Sequence, residues 1–280
     1  MATPINDQRL RLGTYVLPTD RTMIMGVLNV TPDSFSDDGL HLASADAIAH
    51  ARRLVDEGAD MVDVGGESTR PGAASVSTDE ELARALPVIE AIAPTLGVPV
   101  SIDTRNPVVA RACLAAGAVM LNDISGLANP DMLDVLRDTG AAVTIMHMKG
   151  TPETMASEAH YGDLIAEVRE HLLAQAAKAV DAGAQTVIVD PGLGFAKNTQ
   201  HNLRVLANLS SFTDLGYPLL VGPSRKRFIG ELTGAAANDR IPGTIAAVVR
   251  CVEAGVTIVR VHDVAATKQA ITIAEAIQCA

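Results

Sequence analysis

Aromatic side chains are nearly absent from this 280-residue chain: four Phe, three Tyr and no Trp amount to 2% of it. So few rings exclude a stacking platform for successive bases. The core must instead come from Ala, Val, Leu and Ile, which dominate a hydrophobic fraction of 48%. Cations are scarce too. Lys and Arg number 22 against 33 Asp and Glu, a net charge of −11, and a general nucleic-acid or membrane-surface binder needs clustered cations. An anionic small molecule stays accessible if a few basic residues converge. Cys113, Cys251 and Cys279 are odd in number and scattered, the usage of free thiols in a reducing compartment. No apolar run approaches the roughly 18 residues of a membrane span. The start, Met1 to Asp7, lacks the cationic-then-apolar order of a signal peptide. A cytoplasmic, soluble protein is expected.

What the chain has in plenty is repetition. Apolar, β-rich runs fall at 23–29, 60–65, 99–103, 119–123, 142–147, 186–190, 218–222 and 257–262, and helix-like stretches lie between them. Five of those stretches close on Gly58, Gly117, Gly140, Gly183 or Gly255 followed by Ala or Val. Glycine there suits the left-handed cap that ends a helix and turns the chain into a strand. Thr78-Asp79-Glu80-Glu81 has capping-box form, and Asn106-Pro107 and Asn129-Pro130 each read as an N-cap before a first-turn proline. Eight strands alternating with eight helices predict the α/β class, as a closed parallel (β/α)8 TIM barrel. Residues 1–22 form an extension that could fold as a hairpin around Gly13 and plug the amino-terminal end of the barrel, which occupies 23–280.

Barrel chemistry sits at the carboxyl ends of the strands, and those ends can be read off. Strand one ends in Asn29, followed by a polar loop 31–43. Strand two ends at Asp63-Val64-Gly65, followed by 66–77. The next ends are Asp103, Asn122-Asp123, Met146-His147 with loop 148–160, Asp190 to Phe195, Gly222 to Lys226, and Arg260-Val261-His262. Asp103, Asn122 and Asp190, with Lys226 as the nearest cation, suit a planar nitrogen heterocycle, because carboxylates and a carboxamide meet a fixed donor–acceptor edge. Any one of these acids alone could be a structural strand-end hydrogen bonder. Arg70, Arg225, Arg260 and His262, with Asn29 and Ser224, form a donor-rich region where a phosphate or diphosphate fits, since the loops after strands seven and eight are the usual barrel phosphate site. No His-X-His, His-Glu-X-X-His or Gly-X-Ser-X-Gly occurs, and strand six ends in Asp190 rather than lysine. Zinc hydrolysis, serine hydrolysis and Schiff-base aldol chemistry are thereby disfavoured.

Taken in order, Asn29 to Asp37, Gly65 to Gly72, Ser101-Ile102-Asp103, Asn122-Asp123, Asp190-Pro191-Gly192, Ser224-Arg225-Lys226 and Arg260-Val261-His262 resemble the dihydropteroate synthase family, over about Met23 to Ala276. The resemblance implies a transferase of folate biosynthesis. It would condense 6-hydroxymethyl-7,8-dihydropterin diphosphate with 4-aminobenzoate to give 7,8-dihydropteroate and diphosphate. It implies a pterin site of Asp103, Asn122, Asp190, Lys226, Met146, Phe195 and Gly222, with Lys226, Asp33 and Asp190 as the residues carrying turnover. It further implies diphosphate held by Asn29, Arg70, Arg260 and His262, with Mg2+ on Asn29. The 4-aminobenzoate site, where sulfonamides compete in that family, would comprise Thr69, Pro71, Ser224 and Phe35. A homodimer is implied as well, and composition has already argued against nucleic-acid and membrane partners. Loss of diphosphate leaves a methylene cation that the pterin delocalises, so no strong protein nucleophile is required. Asp37-Asp38-Gly39 stands where the family more often has Asp-Gly-Gly, and altered mobility of loop one is expected. A methyltetrahydrofolate:corrinoid methyltransferase would share the acids but has no need of Thr69-Arg70-Pro71 or Ser224-Arg225-Lys226. A noncatalytic pterin-binding paralogue would not need both loops intact, and a phosphate-sugar isomerase lacks its glutamate/histidine/lysine trio.

Overall fold

The computed structural model describes residues 9–31, 40–68 and 75–280, with the backbone alone at 40–44. An antiparallel hairpin comes first: β1 (Arg9–Leu12) pairs with β2 (Tyr15–Pro18) around Gly13, whose φ is 59°. The barrel strands follow, β3 (Met23–Asn29), β4 (Met61–Gly65), β5 (Val100–Asp103), β6 (Met120–Asp123), β7 (Ala142–Met146), β8 (Val187–Asp190), β9 (Leu220–Val221) and β10 (Ile258–Val261). All pair in parallel in the order β8-β7-β6-β5-β4-β3-β10-β9. A parallel bridge between Val189 and Leu219 joins the last strand to the first and closes the ring. This is the expected (β/α)8 barrel. Its seventh strand is shorter than the sequence suggests, because the apolar run 218–222 carries only two ladder residues before Pro223 breaks it.

The helices are α1 (Leu40–Asp56), α2 (Thr78–Ile92), α3 (Pro107–Ala115), α4 (Asp131–Thr139), α5 (Leu164–Asp181), α6 (Thr199–Ala207), α7 (Ser210–Thr213), α8 (Arg227–Thr233), α9 (Ile241–Glu253) and α10 (Val264–Gln278). Two more helices are described than the alternation predicts, the short α7 and α8. All five predicted glycine caps hold positive φ, from 61° at Gly140 to 112° at Gly117. The capping box at Thr78 is not formed. Ser77 caps α2 by accepting from the Glu80 N–H at 3.2 Å, and Glu81 turns inward, 3% exposed, where burial raises its pKa. The cap therefore starts one residue earlier than the motif suggests. Asn106 caps α3 as expected, accepting from Val108 N at 3.0 Å.

Alternation along each strand sorts side chains between the barrel axis and the helical shell. Ile24, Leu28, Val62, Val64, Ile102 and Leu121 face outward into one large apolar cluster beneath the helices. Met23, Met25, Met61, Met120, Ala142, Ile188, Leu220 and Ile258 point inward and fill the lower axis, with Leu10 and Leu12 of the hairpin packed onto them. Leu10 and Leu12 are 2% and 0% exposed. Burying each contributes about 1.5–3 kcal/mol, so the hairpin is a plug held by its own apolar face. Two positions further along the same inward faces stand Asp63, Asn122, Thr144, Asp190 and Arg260, with Ser101 and Asp103 on β5. The interior thus changes from apolar to polar partway up. Among the described residues no helix is long and apolar enough to cross a membrane.

Candidate active site

Four of the inward polar residues meet in one hydrogen-bonded layer. Asp63 stands beside Ser101 in register and Asp103 beside Asn122. Arg260 reaches across from β10. Its Nε donates to Asp63 Oδ2 at 2.7 Å and its Nη2 to Asp103 Oδ2 at 2.8 Å, while Asn122 Nδ2 donates to Asp63 Oδ2 at 2.8 Å. Burial acts to lower the pKa of Arg260, yet Asp63 and Asp103 lift it above its ordinary value, so the guanidinium is charged. Burial raises Asp103 above the usual carboxylate range, with Arg260 opposing. The remaining carboxylate oxygens, Asp63 Oδ1 and Asp103 Oδ1, are buried and accept no hydrogen bond from the described residues. Buried acceptors without donors are costly. A ligand bringing N–H groups to this layer would satisfy them.

A second group lies on the β8 and β9 side. Asp190 Oδ1 accepts from Gly192 N at 2.7 Å. Burial pushes the carboxyl up to about 6, against Gly192 N–H and Lys226. Lys226 has its ammonium 4.4 Å from the centre of the Phe195 ring, a cation–π contact, and its stem lies against Gly194. Burial pulls it down to about 8, opposed by Asp190. Gly194 has φ 82°, and a Cβ there would meet Lys226 Cδ at 3.1 Å, so glycine serves both the turn and the approach of the lysine. Met146 and Phe195 share a small apolar cluster with Ile124, Met148, Met155 and Ala196. They give the group an apolar floor.

Ser224 and His262 form a third contact, with Ser224 Oγ 3.0 Å from His262 Nδ1 and accepting from His262 N at 3.2 Å. The imidazole is neutral, because burial and then Arg260 and Arg225 push it down to about 3. Ser224 Oγ can donate to Nδ1 or accept from it, and the direction follows the tautomer. In the tautomer that accepts at Nδ1, the imidazole hydrogen is on Nε2 as a donor. Arg225, between Ser224 and Lys226, has φ 55°. Its guanidinium is committed to Asp263 at 2.9 and 2.6 Å, its N–H donates to Thr244 Oγ1, and its carbonyl accepts from Arg240. A non-glycine residue in that region costs about 1–3 kcal/mol unless its surroundings over-determine it, and these bonds do so. Arg225 is therefore a brace, whereas its place in the sequence suggested a phosphate ligand.

Gly222 lies against the Arg260 stem, and Asn29 ends β3 beside Gly65. A Cβ on Gly65 would be 3.6 Å from Asp103 Cβ and 3.8 Å from Asn29 Oδ1, so Asn29 and the acid layer border one another. Among the described residues no three His, Cys, Asp or Glu could together hold a metal. Asn29 Oδ1, at the end of β3, is a hard oxygen of the kind that Mg2+ takes alongside waters and substrate phosphates. Asp33, Phe35, Thr69, Arg70 and Pro71, and the turn Asp37-Asp38-Gly39, lie outside the described residues. The root of the second loop is within them. Arg105 grips Glu67 at 3.0 and 2.9 Å, Val76 N donates to Glu67 Oε1 at 3.4 Å, and Arg84 donates to Gly66 O. Asp123, adjacent to Asn122, instead organises its own loop by accepting from Ser125 and Leu127.

Strand-end chemistry on a plugged barrel is common to many enzymes, so the comparison with known proteins decides the family. The profile of the family described as "Pterin binding enzyme" matches residues 25–262. The chain belongs to the pterin-binding enzyme family. A dihydropteroate synthase of Escherichia coli (strain K12) is 46% identical to this pterin-binding chain over 255 residues, 90% of each. A Xanthomonas albilineans dihydropteroate synthase solved with 4-aminobenzoic acid superposes with a TM-score of 0.91 at 45% identity, covering 98% of this chain and 99% of that one. The same organism's enzyme in complex with 7,8-dihydropteroate gives 0.88 at 42% identity, over 97% and 99%.

Within this pterin-binding family member, Asp63 is the residue that sequence reasoning passed over as a role-bearer. It was visible as an acid between two valines of a buried strand, on the same parity as Asp103 and Arg260 on theirs. Arg260, expected in the phosphate region, joins the acid layer, so the two regions inferred from sequence share this side chain.

Proposed function

We propose that this chain is a dihydropteroate synthase, joining 6-hydroxymethyl-7,8-dihydropterin diphosphate to 4-aminobenzoate with release of diphosphate. The observation that carries the proposal is the buried acid layer with two unpartnered oxygens, next to the Asp190–Lys226 pair, in a chain 46% identical to the Escherichia coli synthase over 90% of each. A pterin presents a guanidine-like edge of adjacent N–H donors, which pairs with carboxylate through parallel hydrogen bonds. Asp103, Asn122 and Asp190 would take that edge, Lys226 would donate to the ring's acceptors, and Met146, Phe195 and Gly222 would bound its face. The carbon–oxygen bond to diphosphate breaks with its electron pair leaving on the diphosphate. The pterin carries the positive charge left on the methylene carbon. The amine nitrogen of 4-aminobenzoate then bonds to that carbon and gives up a proton.

Residues of the chain act by positioning charge rather than by covalent attack. Arg260 and His262 Nε2–H would stabilise the departing diphosphate, with Arg70 from loop two. Asn29 would hold Mg2+ against the diphosphate, where such an ion supplies electrostatic stabilisation of a leaving group. Asp33 would lie over the cationic centre, and Thr69, Pro71, Ser224 and Phe35 would shape the 4-aminobenzoate site. The homodimer of the family reading belongs to the same proposal, as does a cytoplasmic location. The test is a coupled diphosphate-release assay with Mg2+, with and without 4-aminobenzoate, alongside chromatography for 7,8-dihydropteroate. Release that depends on 4-aminobenzoate is the expected result. Its absence, or methyl transfer from methyltetrahydrofolate to a corrinoid, overturns the proposal.

A further inference from the structure

Behind the Asp190–Lys226 pair lies a buried lysine with no part in the chemistry above. Lys197, 8% exposed, ends the segment that follows β8. That segment is wound tightly: φ is positive at Gly192, Gly194 and Ala196, at 71°, 82° and 48°. A Cβ at Gly192 would lie 2.1 Å from the His147 carbonyl oxygen, so the segment is pressed onto the chain leaving β7. Such a conformation persists only when its surroundings over-determine it.

Lys197 supplies much of that determination. Its ammonium donates to His147 Nδ1 at 3.0 Å, to Phe195 O at 3.1 Å and to His147 O at 3.5 Å. Burial pulls Lys197 down to about 7, with Asp190 opposing, so on the acid side of neutrality it is an ammonium whose three protons meet three acceptors, from the two segments that flank the pterin floor. The imidazole is suited to accept, because burial and Lys197 itself hold His147 down near about 2 and therefore neutral. His171 stacks edge-on against that imidazole at 5.0 Å, and Tyr161 OH donates to Ala196 O at 2.9 Å. Asn202 completes the brace, accepting from Gly194 N at 2.7 Å and donating to Lys197 O at 3.2 Å. What the braced segment presents to the mouth is Gly192 N–H on the Asp190 carboxylate and the Phe195 ring beside the Lys226 ammonium.

We propose that Lys197 is a positioning residue for the pterin: its buried amine nitrogen ties the segment after β8 to the segment after β7, and thereby holds Phe195 against Lys226 and Gly192 N–H on the Asp190 carboxylate. The inference rests on the reading of this mouth as a pterin site. It assigns Lys197 no contact with substrate.

Lys197→Met keeps the length of the side chain and removes all three donors. Losing a buried hydrogen-bond donor with three partners should raise KM for the pterin diphosphate, and Kd for 6-hydroxymethylpterin, at least about tenfold. KM for 4-aminobenzoate should stay within about twofold, a split that loss of folded protein alone does not produce. In a Phe195→Ala background the same change should add less than about twofold to the pterin Kd, because coupled residues are not additive. An unchanged pterin Kd, or equal rises for both substrates, overturns the proposal. Should Lys197→Met not fold, His147→Leu removes the Nδ1 acceptor with the lysine in place and carries the same expectation and the same refutation. The wild-type protein keeps the two ideas apart. If it binds 6-hydroxymethylpterin but releases no diphosphate, the synthase reading fails, and the calorimetric comparison still decides Lys197.

Discussion

Removing Asp63 tests the acid layer at the residue that holds it together. Its Oδ2 receives both Arg260 Nε and Asn122 Nδ2, at 2.7 and 2.8 Å, and the side chain is 0% exposed. Asp63→Ala leaves the guanidinium of a side chain 21% exposed with Asp103 as its remaining ion-pair partner, at 2.8 Å. Breaking a buried ion pair from one side costs about 3–5 kcal/mol. Because Asp103 still compensates Arg260, the lower end applies, about 3 kcal/mol. At roughly 2–4 °C per kcal/mol for a chain somewhat smaller than this one, the melting temperature should fall by roughly 6–12 °C. Asp63→Asn keeps a carbonyl acceptor for one of the two donors but loses the charge, and should cost about half as much. Both variants free Asn122 and Arg260 to reorient, so the Kd for 6-hydroxymethylpterin should rise at least about tenfold in Asp63→Ala. Calorimetric melting and isothermal titration read the two effects separately. A melting temperature within about 2 °C of wild type, together with an unchanged pterin Kd, would refute the reasoning.

Lys226→Ala and Asp190→Ala should each lower turnover at least about tenfold, or about 1.4 kcal/mol of transition-state stabilisation, and wild-type rates in both would sink the site assignment. The pH profile of kcat/KM for the pterin diphosphate should be a bell. Its acid limb rises through about 6 as Asp190 ionises, and its alkaline limb falls through about 8 as Lys226 loses its proton; a flat profile across both limbs contradicts these roles. Gly192→Ala forces a methyl group 2.1 Å from the His147 oxygen at φ 71°, and should cost at least about 2 kcal/mol by urea titration. A substitution that leaves the denaturation midpoint unmoved would mean that the two segments are not pressed together.

The barrel was legible because its signals are local. Gly58, Gly117, Gly140, Gly183 and Gly255 each stop a helix by backbone geometry alone, and each bounds a strand that has only to be apolar. Ser77 and Thr78 show the resolution of such reading: two hydroxyl residues stand in line, and the buried Glu81 decides between them only after packing. Asp103, Asn122, Asp190 and Lys226 could be grouped from sequence because strand ends in a barrel share one rim. Asp63 and Lys197 were missed for a common reason. Their roles lie in what they hold across the fold, Arg260 from 197 residues away and His147 from 50, and no spacing in the chain encodes that distance. Arg225 shows the converse, since its partner Asp263 lies 38 residues on and turns an apparent ligand into scaffolding.

The hairpin beneath the barrel makes the interior a cul-de-sac. With Leu10 and Leu12 seated on Met23, Met25, Met61 and Met120, nothing can drain downward. A guest resting on the acid layer has one doorway, and whatever arrives after it stands between it and the outside. Departure then reverses arrival, so the deepest molecule should be first in and last out, an order that product-inhibition kinetics can read.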